Sequence, residues 1–129
     1  MIARNGHTYF FKPDHRDRTA IIKSQWDLEP SEELELFVRS HVPDALVSWG
    51  VLILGNLPSK LGKSATAFGR ARRLHIAKFI CRVPIHGYPA DTERNVQDIP
   101  PIRFVNELRT SGFITKSQAI RLKGQKPWA

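Results

Sequence analysis

Residues 55–64 read Gly-Asn-Leu-Pro-Ser-Lys-Leu-Gly-Lys-Ser, and a Gly-Lys-Ser ending after an apolar run has the residue types of a loop that cradles phosphate. That chemistry needs four residues between the first glycine and Gly-Lys-Ser, so that successive amides curl round one phosphate before a helix begins. Here six intervene, and Pro58 removes one amide from the curl. A nucleotide-hydrolysing core also needs an acidic magnesium ligand at a strand end, whereas residues 45–90 contain no Asp or Glu. The spacing therefore excludes a phosphate-loop NTPase. A basic Gly/Ser loop can still hold one backbone phosphate of nucleic acid through Lys60 and Lys63.

The densest basic cluster follows directly: Arg70, Arg72 and Arg73, then Lys78 and Arg82. An ordinary solvated face has such clusters too. Two features favour a polyanion site instead: arginine dominates, and its planar fork matches phosphate oxygens; no carboxylate lies nearby in sequence to neutralise it. With Lys60 and Lys63 these seven residues are the expected nucleic-acid contacts. Lys116, Arg121 and Lys123 form a possible secondary set on the last helical segment.

The remaining reactive side chains do not assemble into a recognisable catalytic pattern, and no catalytic residue is assigned. No Cys/His cluster has zinc spacing, so neither a metal nor another cofactor is expected. His15 sits in Asp14-His15-Arg16-Asp17-Arg18, which reads as a charged turn before it reads as a hydrolytic loop. It shares with His41 and His86 the status of a group worth testing for acid/base work. The single cysteine, Cys81, has apolar neighbours, cannot make an internal disulfide and reads as a small buried hydrophobe.

Charge is unevenly placed along these 129 residues, whose net charge is +8. Residues 1–44 hold six bases and eight acids, 45–90 seven bases and no acid, and 91–129 seven bases and four acids. A long acid-free block attracts polyanions, and the two-pole distribution also suits self-association. The apolar fraction of 41% and charged fraction of 25% are those of a globular chain with its own core. The longest apolar run, 45–54, is about half a membrane span. Without a secretion signal at the N-terminus and with one cysteine, the chain is expected in the cytoplasm, with no membrane partner.

These groups must be positioned by a small set of elements. Residues 8–12 and 19–26 are rich in aromatic and β-branched types around a turn-like segment, which predicts a β-hairpin. A helix is expected from Pro30, with Ser31 as its cap and acids in its first turn, continuing to Pro43. Residues 45–54 read as a central strand in which Gly50 marks a bulge, 64–73 as a short helix, and 74–83 as a strand directing Lys78 and Arg82 outward. Residues 84–100, with four prolines and glycines spread among polar residues, read as a long surface loop. Two short helices close the chain: one at Pro101, the other after a Thr115–Gln118 capping box, with Ile114 and Ala119 as staple and Gly124 as terminator. That pair has the length of a helix-turn-helix, but strands precede it, so a structural hairpin is favoured.

The expected architecture is a single α+β domain, 1–129, with a small mostly antiparallel sheet of about four strands, helices packed on it and a C-terminal αα-hairpin. The expected function is non-catalytic binding of nucleic acid, DNA or RNA, through the phosphate backbone. The alternative is an accessory regulator or inhibitor docking on an acidic protein or nucleoprotein surface. A small nuclease or phosphoesterase comes third.

Overall fold

The chain is α+β, with three helices and eight short strands in three antiparallel sheets; the computed structural model describes residues 1–128. The first third contains β1 (Gln25–Trp26) and α1 (Pro30–Ser40). Pro30 occupies the first helical position, where its missing N–H costs nothing. Glu29, rather than Ser31, is the cap: its side chain receives the N3 amide, and the Glu32 carboxylate accepts the Glu29 N–H at 2.9 Å. The helix ends at Ser40, three residues before Pro43.

The middle of the chain supplies β2 (Val47–Gly50), β3 (Ile53–Leu54), β4 (Leu57–Pro58), β5 (Gly62–Lys63), β6 (Arg73–Leu74), β7 (Ala77–Ile80) and β8 (His86–Pro89). The main sheet runs β2–β7–β8, a second runs β1–β5–β6, and β3–β4 is an isolated hairpin. The apolar run 45–54 is therefore divided: its first part is an edge strand, and its last residues start a different sheet. Gly50 makes no bulge. It stays in register opposite Ala77, where a Cβ would collide with the Ser40 side chain of α1.

The expected N-terminal hairpin does not form. Thr8 and Tyr9 make single bridges to Ile2 and Ile85, and β1 pairs instead with β5. Tyr9 is an aromatic anchor of the core rather than a ladder residue, its ring 4.9 Å from that of Phe37 and tilted 39° to it. Its hydroxyl donates to Glu33 of α1, which also takes Arg16 Nη2 at 2.6 Å. The expected helix at 64–73 is reduced to a single 3-10 turn, Thr66–Phe68. The expected loop 84–100 contains β8 and a 3-10 turn, Val96–Asp98. Gly87 belongs in β8 because it faces Phe79 across the ladder, and a Cβ there would press on that ring and on the Tyr9 hydroxyl.

β7 is the central strand of the main sheet, and the two faces of that sheet serve two cores. Ala77 and Phe79 join Phe37 and Leu36 of α1, Tyr9 and Trp26. Ile76 joins Val105, Leu108, Ile114, Ala119 and Leu122 of the C-terminal helices α2 (Ile102–Thr110) and α3 (Lys116–Lys123). The expected αα-hairpin is present with its capping box: Thr115 Oγ1 accepts the Gln118 N–H at 3.1 Å, and Gln118 Oε1 accepts the Thr115 N–H at 2.8 Å. Ile114 and Ala119 are both buried beneath it, and Gly124 caps the C-terminal end.

Candidate nucleic-acid interface

Gly62 and Lys63 lie in an extended strand, not in a phosphate-cradling curl. Gly62 pairs with Trp26 and Leu74, and the Ser64 hydroxyl accepts the backbone N–H of Arg72 at 2.7 Å. Gly62 is a glycine for packing reasons: a Cβ would strike the Gln25 carbonyl and come within 2.6 Å of Pro89 Cγ. Upstream, Gly55 and Asn56 take φ of 58° and 66°, the two-residue turn that joins β3 to β4.

The fold returns carboxylates to the block that lacks them in sequence. Lys60 Nζ lies 2.7 Å from Asp27, and Lys63 Nζ lies 4.0 Å from the other oxygen of the same carboxylate. Arg72 grips Asp91 with both Nη atoms at 2.8 and 2.7 Å and reaches Glu93 at 3.2 Å, contacts that hold its guanidinium pKa above the ordinary value, the Asp91 hydrogen bond foremost.

Lys78 is the largest departure from expectation. Strand alternation does direct it away from Phe79, but that second face is covered, and Lys78 is 7% exposed. Its Nζ donates to the Gln97 carbonyl at 2.6 Å, sits 3.5 Å from Asp98, and lies 5.4 Å from the Trp49 ring and 5.9 Å from that of Tyr88. A buried ammonium needs this combination of carbonyl, carboxylate and ring faces. Lys78 is thus a strut inside the fold.

Arg70, Arg73 and Arg82 are exposed and, among the described residues, have no carboxylate within 4 Å. The same holds for the C-terminal hairpin, where Arg103, Arg109, Lys116, Arg121, Lys123 and Lys126 accompany a single acid, Glu107. α3 turns Ala119 and Leu122 into the core and leaves Lys116, Ser117, Arg121 and Lys123 outside, the division its sequence predicts. Lys116, Ser117, Ile120, Arg121, Gly124 and Lys126 line a groove of about 740 Å³ along this outer face. Trp128, two residues beyond Lys126, lines a small cavity together with Arg73, so the tail carries the basic surface toward β6.

Sequence reasoning did not single out Lys126, Arg103 or Arg109. The signal that finds them is spatial: cations left over once the ion pairs are subtracted. The histidines are dispersed. His7 packs edge-on against His41 at 4.5 Å, His75 Nδ1 donates to the Pro58 carbonyl at 3.2 Å, and His86 Nδ1 donates to that of Pro84 at 2.9 Å. Cys81 is a free, half-buried thiol 3.6 Å from His41 Nδ1. Among the described residues no helix is long and apolar enough to cross a membrane. Comparison with protein-family models, with curated proteins and with solved structures gives no match for this chain.

Proposed function

We propose that the protein is a small basic nucleic-acid-binding protein of the cytoplasm that acts without catalysis, chiefly through phosphate contacts. The observation that carries this reading is the outer face of α3 and the turn after it, where Lys116, Arg121, Lys123 and Lys126 are exposed with no carboxylate partner among the described residues. Unpaired cations attract a polyanion at no cost in broken ion pairs, whereas Lys60, Lys63 and Arg72 must first leave theirs. Arg70, Arg73 and Arg82 extend the contact surface, and Lys78 does not take part.

Fluorescence anisotropy with duplex DNA and single-stranded RNA of unrelated sequence, over a range of salt, tests this. Replacing Lys116, Arg121, Lys123 and Lys126 with Ala should weaken binding about equally across sequences and flatten the salt dependence of log K by about 0.9 per lost contact on duplex DNA. Arg70, Arg73 and Arg82 replaced together should act in the same way. A slope unchanged in both variants would sink the proposal.

A second reading, docking on a larger protein, has one observation in its favour: Leu54 and Leu57 stand 61% and 65% exposed on either side of the Gly55-Asn56 turn. A protein that co-purifies with the wild type and is lost from Leu54→Ser/Leu57→Ser would favour that reading.

A further inference from the structure

A second concavity, of about 430 Å³, shares no lining residue with the α3 groove and falls in the size range of small-ligand sites. Its walls are the N-terminal 3-10 turn Pro13–His15, the segment leading into β1, β8, and the Thr66–Phe68 and Val96–Asp98 turns. At its base is His15, 5% exposed, stacked on Tyr88 with ring centroids 4.9 Å apart and planes 13° apart.

The chemistry of that histidine is set by its neighbours. Nδ1 donates to the Ser24 carbonyl at 2.8 Å, which places the proton of the neutral ring on Nδ1 and the lone pair on Nε2. Nε2 has no protein partner among the described residues, yet it is not sealed off: the buried side-chain polar atom that lacks a partner there is Gln25 Oε1. An acceptor without a protein partner, and not sealed from solvent, therefore belongs to a residue that lines the cleft.

The charges around the cleft divide into used and unused. Asp98 is satisfied by the Tyr88 hydroxyl at 2.9 Å, the Asp91 N–H at 3.0 Å and Lys78, and Asp91 by Arg72. Lys12, Lys23 and Arg94 have no carboxylate within 4 Å among the described residues, and all three line the cleft. Arg94 is held against the Phe68 ring, 3.2 Å from its centroid, which fixes the guanidinium at the cleft wall. The acids present are neutralised, and three cations remain.

We propose that this cleft binds a phosphate monoester that carries a nearby hydroxyl, a sugar phosphate or a ribonucleotide. Lys12, Lys23 and Arg94 take the phosphate, and the ligand hydroxyl donates to His15 Nε2. The inference goes beyond nucleic-acid binding at α3 and stands or falls independently of it.

Calorimetry on the full chain with inorganic phosphate, ribose 5-phosphate, adenosine monophosphate and ribose tests it, with the imidazole ¹⁵N signals as the site reporter. The three phosphates should bind saturably at one site and move the His15 Nε2 resonance, and ribose should not bind. Lys12→Ala/Lys23→Ala, at half-buried positions outside both hydrophobic cores, should weaken all three by about tenfold or more. His15→Asn should remove the advantage of ribose 5-phosphate over inorganic phosphate. The tighter of the sugar phosphate and the nucleotide identifies the source of the monoester. Absence of saturable binding, undiminished affinity in the double-lysine variant, or equal weakening by Lys116→Ala/Arg121→Ala would each overturn the assignment.

Discussion

Acidification should destabilise this protein through His15 in a way that one substitution removes. Burial pushes the His15 pKa from 6.5 down to about 4, with Lys12 and Lys23 opposing protonation further and the hydrogen bond to Ser24 acting the other way. A depressed folded value means that the unfolded chain takes up a proton that the native state excludes. The stability His15 contributes is therefore complete above pH 6.5 and is lost as pH falls toward 4. That difference corresponds to about 3 kcal/mol, a sizeable fraction of the roughly 5–15 kcal/mol typical of a domain. Asn at this position keeps an N–H for the Ser24 carbonyl and cannot titrate. Urea unfolding followed by tryptophan fluorescence, at steps from pH 7.5 to 4, should show wild type and His15→Asn converging by about 3 kcal/mol as pH falls, since carboxylate titration is common to both. Parallel profiles would refute the reasoning.

Leu122→Ala should cost about 2 to 5 kcal/mol in chemical denaturation, because Leu122 is fully buried among Ile114, Val105 and Leu108, while exposed Arg121→Ala should stay within about 0.5 kcal/mol. A large loss from Arg121→Ala would mean that α3 is held by its charges. Glu33→Gln removes a carboxylate that is 1% exposed and leaves the Arg16 guanidinium, 23% exposed, with the Leu28 carbonyl; it should cost about 1–3 kcal/mol by the same measurement, and a loss near zero would mean that Arg16 finds another partner. Gly87→Ala would place a Cβ 2.7 Å from Phe79 Cε1 and 2.9 Å from Tyr9 Oη, and a melting curve should show a loss of about 1–3 kcal/mol, which unchanged melting would contradict.

Helices were legible in the sequence where several local signals agreed. Around α1, proline at N1 and acids in the first turn marked the start, and only the identity of the cap differed. The Thr115–Gln118 box marked α3 in full, because its two hydrogen bonds are made within four residues. The strands were harder. Five of the first six pair over only two residues, too short for alternation to register, and β8 contains a glycine and a proline, types that elsewhere signal a loop. Gly87 and Pro89 are there because of what they face: Phe79 on the neighbouring strand, and Gly62 in another sheet.

The candidate interface was half legible for a related reason. A count of acids along the chain is a one-dimensional quantity, and Asp27, Asp91, Glu93 and Asp98 approach the acid-free block only after folding. Lys78 shows the limit most clearly. Period-two alternation placed it on the face away from Phe79, but nothing local said that the Val96–Asp98 turn would cover it there. His15 was visible as a histidine in a charged turn, and its setting on Tyr88 depends on a strand more than seventy residues away.

The placement of β7 between two cores makes its length a fixed quantity. Across the main sheet, Trp49, Lys78 and Tyr88 stand in one register row, and Ser48, Phe79 and Gly87 in the next. Deleting or inserting one residue near residue 78 would exchange these rows, because side chains in a strand alternate sides. An ammonium would then enter the aromatic cluster around Phe37, and a phenyl ring would meet Asp98. Both cores would fail from a single slip. The β3–β4 hairpin belongs to neither ladder, so insertions and deletions in homologues of this chain should gather at the Gly55-Asn56 turn and leave residues 76–80 at constant length.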